Sequence, residues 1–141
     1  MKDKITVTYE VPSGDFTRAG EASSSVKSML KQMGVNPGVI RKVAIAMYEG
    51  EINMVIHADG GTIEVTVTPE EIVMLLKDQG PGIEDIDLAM QAGYSTAPDN
   101  IRSLGFGAGM GLPNMKKYSD SIDIESLVGV GTTVTMKISI I

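Results

Sequence analysis

Residues 36–57 read NPGVIRKVAIAMYEGEINMVIH, and the arrangement of the whole chain turns on this stretch. Asn36 has the side chain of an N-cap, and Pro37 follows in the first turn, where a missing N–H costs nothing. From Gly38 to His57 apolar residues occupy most sides: Val39, Ile40, Val43, Ala44, Ile45, Ala46, Met47, Ile52, Met54, Val55 and Ile56. A helix that is apolar nearly all round is a buried one, so the pattern predicts a central helix over this span. Glu49, Asn53 and His57 fall at four-residue steps along one face of it. Read alone, that polar line fits equally well a set of individually hydrogen-bonded core groups. A lone His57 fits a packed or helix-terminal histidine better than a catalytic one. The functional reading gives Asn53 a neutral oxygen for Mg²⁺ and gives Glu49 the task of polarising an attacking hydroxyl. Mg²⁺ keeps several waters and binds substrate phosphates beside one or two protein oxygens, so a single amide suffices. Glu51 points to another side of the helix and reads as solvent-facing or structural.

Upstream, Ile5, Val7, Tyr9 and Val11 alternate with Thr6, Thr8 and Glu10, the period of a half-buried strand. Residues 15–33 carry Phe16, Ala19, Ala22, Val26, Met29, Leu30 and Met33 at three- and four-residue steps, an amphipathic helix stopped by Gly34. Downstream, Thr62–Thr68 and Ile72–Lys77 read as a hairpin around Pro69 and two glutamates. Residues 78–82 form a loop, 84–91 a short helix, and 92–109 a long stretch of Gly, Ser, Thr, Pro and Asn. Loops of that length in small domains are usually lids or binding loops. Leu112–Tyr118 reads as a helix, and Ser121–Leu127 and Thr132–Ile140 as a closing pair of strands. Strands pairing with their neighbours and helices grouped together predict an α+β two-layer sandwich with a mixed, mainly antiparallel sheet. Met29, Met33, Met47 and Met54 are assigned to the core.

The chain has 141 residues, no cysteine, 12 basic against 18 acidic side chains and a net charge of −6. One domain spanning residues 1–141 is the expectation at this length. The missing thiols exclude a disulfide framework, a cysteine nucleophile and thiolate metal sites. The acidic balance argues against nucleic acid as a partner. Neither an apolar run of about 18 residues nor a signal-peptide segment is visible, so no membrane and a cytoplasmic address are expected. Nine of the 16 glycines lie between Gly80 and Gly131, which places a glycine-dependent site in the second half.

Three further clusters carry chemistry. Asp78-Gln-Gly80-Pro-Gly82 ends a strand; alone it is an ordinary tight turn. Functionally, Asp78 accepts a hydrogen bond from an exocyclic amine, while Gly80 and Gly82 lack the Cβ atoms that would hold a flat ring away. That chemistry suits adenine. Gly105-Phe-Gly107-Ala-Gly109-Met110-Gly111-Leu112 leads into a helix; a flexible hinge is one reading. The stronger one is a run of backbone N–H groups and a helix N-terminus cradling phosphate. It lacks the Lys-Ser/Thr of a P-loop and the spacing of a dinucleotide fingerprint. Gly129-Val-Gly131-Thr132-Thr133 by itself is a hairpin turn.

In order and spacing together, Glu-x-x-x-Asn, Asp-x-Gly-x-Gly, Gly-x-Gly-x-Gly and Gly-Thr-Thr resemble the nucleotide-binding superfamily shared by gyrase, heat-shock chaperones, histidine kinases and mismatch-repair proteins. The resemblance covers nearly the whole chain. Glu49-Gly-Glu-Ile-Asn53-Met-Val-Ile-His57 and Asp78-Gln-Gly-Pro-Gly82 are continued by Gln91-Ala-Gly-Tyr-Ser-Thr96 and Gly109-Met-Gly-Leu-Pro113. Together they look like the small anti-sigma-factor and switch-type serine/threonine kinases of bacterial sporulation and stress pathways, nearest to the stressosome switch kinases. Residues 97–103 depart from that pattern by lengthening the loop.

The resemblance implies a histidine-kinase-like ATPase fold and ATP with Mg²⁺ as ligands. It makes Asn53 the residue that holds the metal across the phosphates and Glu49 the one that orients or deprotonates the acceptor. Asp78 becomes the adenine reader, flanked by Gly80 and Gly82, with Thr132 hydrogen-bonding near the base directly or through water. Gly107, Gly109, Met110, Gly111 and Leu112 match the phosphate-cradling turn, and Arg102 and Lys116 are candidates to meet the γ-phosphate. The implied partners are a small anti-sigma antagonist of the sulfate-transporter type (STAS), or a stressosome protein, phosphorylated on Ser or Thr. A sequestered sigma factor and a homodimer are further arrangements it implies. The rival from another class is a regulator that binds ATP as a conformational ligand and sequesters its partner without obligatory transfer. The catalytic half of a histidine kinase would have to act in trans, because the span leaves no room for a phosphorylatable helical hairpin.

Overall fold

A computed structural model describes residues 4–11, 20–57, 61–78 and 111–140. Eight elements follow in the order β1 (Ile5–Val11), α1 (Glu21–Gln32), α2 (Pro37–His57), β2 (Gly61–Val67), β3 (Glu71–Asp78), α3 (Gly111–Tyr118), β4 (Ser121–Leu127) and β5 (Gly131–Ser139). The expected 84–91 helix, the 92–109 loop and the start of α1 from residue 15 lie outside the described residues.

The strands form one sheet in the order β1-β2-β3-β5-β4, so the two-layer α/β architecture is as expected. Every described pairing is antiparallel, where a mixed sheet was expected. The reason is topological. After β3 the chain returns at the far edge as β4, parallel in direction to β3, and the β4–β5 hairpin then places β5 between them. The parallel relation exists, but never between neighbours.

The hairpins are set by local chemistry. Between β2 and β3 the Thr68 N–H donates to the Glu71 carbonyl at 3.0 Å, and the Thr68 hydroxyl accepts the Glu71 N–H at 3.2 Å. Between β4 and β5, Gly129 takes φ +82°, a left-handed value that favours glycine.

One face of the sheet carries Ile63, Val65, Val67, Ile72, Met74, Leu76, Val134, Met136 and Ile138, all buried against the helices. The long helix α2 lies over that face between α1 and α3. Its Val43, Ala46 and Met47 are fully buried, as a helix apolar nearly all round must be. Truncating one large core side chain here is worth about 2–5 kcal/mol. Asn36 caps α2 as its sequence predicts, its Oδ1 accepting the Gly38 N–H at 2.8 Å. Met47 and Met54 are in the core and Met29 packs against it. Met33 is not: it is 42% exposed, because it is the C-cap of α1, beyond the last turn whose face is buried.

Candidate functional site

Register puts Val11, Gly61, Asp78, Thr132 and Ser126 in one row across the end of the sheet, on the face that the helices cover. Every row before it is apolar on that face; here β3, β5 and β4 switch to Asp, Thr and Ser. Such a switch in an otherwise apolar floor marks a place built for a polar contact. The Asp78 carboxylate accepts the Thr132 backbone N–H at 3.1 Å. Thr132, buried, shares a 2.9 Å hydrogen bond between its hydroxyl and that of Ser126. Gly61 stands opposite Asp78, and a Cβ on it would collide with the Lys77 carbonyl and the Met54 methyl. A residue with a side chain cannot stand there without moving the strand that carries Asp78.

Above this row runs α2. Gly50 lets the helix sit close on β3: an added Cβ would run into the Leu76 side chain and lie 3.3 Å from the Met115 sulfur of α3. Glu49 and Asn53, both half-buried, lie one turn apart on this helix, and Glu49 meets Asn114 of α3. Burial pushes the Glu49 carboxyl above the usual carboxylate range, and a hydrogen bond from the Asn114 side chain of α3 partly opposes it. A carboxyl displaced in that direction is matched to proton transfer nearer neutral pH than a free one. Tyr48, beside it, is held above its ordinary value by burial and by the charges of Glu49 and Glu51.

Glu51 is structural, and the solvent-facing alternative is corrected: it is 3% exposed. The N-cap of α1 is Gly20, with φ +97° and no side chain to satisfy the first N–H groups. Glu51 supplies that acceptor from α2, taking the N–H groups of Gly20 (3.0 Å), Ala22 (3.2 Å) and Ser23 (3.1 Å) and the Ser23 hydroxyl at 2.7 Å. Nothing local in the sequence points to this, since donors and acceptor are separated by about 30 positions.

The expected site residues thus fall in two groups. Glu49, Asn53, Asp78 and Thr132 lie on α2 and the end row of the sheet; Gly111 opens α3 and Leu112 is buried within it. Gly80, Gly82, Arg102, Gly107, Gly109, Met110 and the His57 side chain lie outside the described residues. Lys116 is exposed in the last turn of α3. Sequence reasoning missed Ser126, although β4 reads Ile122, Ile124, Ser126 at inward positions, and the break in that series was its signal. Among the described residues no three His, Asp or Glu side chains gather to enclose a metal. One half-buried amide at Asn53 is the kind of donor that fits Mg²⁺ held mainly by phosphate and water.

A family model described as histidine kinase-like ATPase domain matches residues 13–138. An anti-sigma F factor of Clostridium kluyveri is 32% identical over 121 residues, covering 82% of this chain and 82% of that protein. One of Priestia megaterium is 31% identical over 146 aligned positions, covering 97% and 92%. The crystal structure of the RsbU and RsbW domains of a Mycobacterium tuberculosis protein matches with a TM-score of 0.64 at 14% identity. It covers 95% of this chain, which spans 32% of that longer one. At that identity the likeness is one of fold. No described helix is long and apolar enough to cross a membrane.

Proposed function

The chain belongs to the histidine kinase-like ATPase domain family, and from that premise we propose that it is an ATP-dependent protein serine/threonine kinase. Its substrate in this reading is a small STAS-type anti-sigma antagonist or stressosome protein, and its output is a sigma-factor or stress pathway in the cytoplasm. Residues 1–141 act as a single ATP-binding kinase domain.

The observation that supports transfer most is Glu49, half-buried, raised above the usual carboxylate range and hydrogen-bonded by Asn114, one turn before Asn53. Glu49 takes the proton of the acceptor hydroxyl as its oxygen bonds to the γ-phosphorus. The bond to the bridging oxygen breaks and ADP carries away the electron pair. Asn53 would hold Mg²⁺, which when bound offsets charge on the phosphates. Asp78 accepts the exocyclic amine of adenine, and Gly107, Gly109, Met110, Gly111 and Leu112 supply the phosphate turn, with Gly80 and Gly82 beside the base.

The relatives' names favour a second reading, an ATP-binding regulator that sequesters a sigma factor without obligatory transfer. One experiment separates them: Mg-ATP labelled on the γ-phosphate, offered with captured partner proteins to the wild type and to Glu49→Gln. Label on a partner's Ser or Thr that is absent with the variant supports the kinase. Capture without label, with ATP bound, supports sequestration.

A further inference from the structure

We infer that the free edge of β4 is a docking surface for an extended segment of a partner protein, one that alternates lysine or arginine with apolar residues and joins the sheet as a further strand. The inference stands apart from the nucleotide reading, since neither the edge nor the probes that test it involve a nucleotide.

β4 is the last strand of the sheet, and among the described residues no strand pairs with its far side. Every second residue of such a strand turns its N–H and C=O groups away from its neighbour, where another chain can take them. Proteins commonly blunt an edge with a bulge, a proline or a very short strand. β4 uses none of these: Ser121–Leu127 pairs with β5 residue for residue over its whole length and contains no proline. Its inward Ile122 and Ile124 pack against the core yet stay half-buried, so an added strand covers apolar surface. At its end Leu127, Val128 and Val130 are 64%, 57% and 62% exposed, in a turn closed by the Val130 N–H on the Leu127 carbonyl at 2.9 Å. Acids placed on the edge only to keep other strands away leave these three aliphatic side chains unexplained; contact with a partner accounts for them.

Charge decides which chain fits. On the outer side of β4, Asp123 and Glu125 are exposed and stand opposite the uncharged Thr135 and Thr133 of β5. Among the described residues neither acid makes an ion pair, and the cation of β5, Lys137, stands opposite Ser121. A second copy of this strand is a poor occupant. An antiparallel pairing that keeps Ile122 and Ile124 on the core side sets Asp123 against Asp123, Asp123 against Glu125, or Glu125 against Glu125 in each register that overlaps most of the strand. Like charges directly opposite destabilise a pair, and a slip by one residue turns the isoleucines outward. A cationic strand reverses the sign: basic side chains beside Asp123 and Glu125 answer both, and the residues between them extend the apolar layer beneath.

The probe is a synthetic peptide, Lys-Val-Lys-Ile-Lys-Val-Lys, blocked at both ends and titrated at low salt into the isotope-labelled protein, with binding followed by NMR. Amide shifts are expected in residues 121–130 and not along β1, with a Kd below about 1 mM. Two controls keep the charge and lose the strand: the same residues with the lysines grouped at one end, and the alternating peptide with its backbone amides methylated. Each is expected to bind at least about 10-fold more weakly. The double variant Asp123→Lys, Glu125→Lys is expected to lose about 10-fold for the lysine peptide and to take up its glutamate counterpart instead, circular dichroism confirming the fold. Equal binding of the alternating and control peptides overturns the inference, leaving charge alone, and so does a wild type that shows no shifts in 121–130. A wild type that sediments as a dimer, dissolved to folded monomer by Asp123→Pro, assigns the edge to a second copy and overturns the choice of partner. If the double variant does not fold, the comparison of the three peptides on the wild type decides by itself.

Discussion

Ser23 donates its hydroxyl to Glu51 at 2.7 Å, and through this contact the first turn of α1 is capped by a residue of α2. A helix whose N-cap is glycine normally leaves its first N–H groups to water; here they are buried and answered by a carboxylate from the neighbouring helix.

Removing that carboxylate leaves buried donors unanswered. Glu51→Ala is expected to destabilise the protein by about 3 kcal/mol, and Ser23→Ala by about 1 kcal/mol, in urea unfolding. A loss under about 1 kcal/mol for Glu51→Ala would mean that water replaces the cap at little cost.

Gly50→Ala gains about 1 kcal/mol of helix propensity but forces its methyl against Leu76 between two packed layers. The net expectation is a loss of about 1–2 kcal/mol, recovered in part when Leu76 is changed to Val beside it. Strict additivity of the two changes would show that they do not meet.

Because burial raises Glu49, the acid limb of the phosphotransfer profile should lie above the usual carboxylate range. Asn114→Ala removes the hydrogen bond that opposes the rise, so the limb should move to still higher pH. Stability carries the same sign. A folded-state value above the unfolded one contributes stability below the unfolded value that is lost as pH rises through the folded one. Glu49→Gln should therefore stabilise the fold at neutral pH relative to wild type, the gap closing toward acid. A gap that widens toward acid contradicts the direction.

Asp78→Asn keeps an oxygen for the Thr132 N–H but loses the charge that strengthens a bond to an amine. ATP affinity should fall about 10- to 100-fold, with the thermal midpoint within a few degrees of wild type. Equal affinity would remove Asp78 from base recognition.

The arrangement of elements was legible because each carries its period openly: the alternation of β1, the all-round apolar α2 and the Asn36-Pro37 start. Glu49, Asn53, Asp78 and Thr132 were legible as residue types, and register then brought Asp78 and Thr132 into contact across 54 positions. The Glu51 cap and the Ser126–Thr132 contact were not, because both depend on which element lies beside which. Met33 was misassigned for a related reason: helical spacing continues past the point where the neighbouring surface ends.

The return of the chain at the far edge of the sheet has a consequence for how this architecture can vary. Asp78 and Thr132 bracket everything from the end of β3 to the start of β5, yet they lie on adjacent strands. The two ends of that excursion are tied by the sheet itself. Outside α3 and β4, which are packed and paired, added length in it is cheap, since doubling a closed flexible loop costs only about 0.6 kcal/mol in entropy. Residues 97–103, which the family resemblance reads as a lengthening, fall in this interval by sequence, so changes of length there leave the register of the pair at its base in place. The fold works as a fixed clasp on a strap of adjustable length.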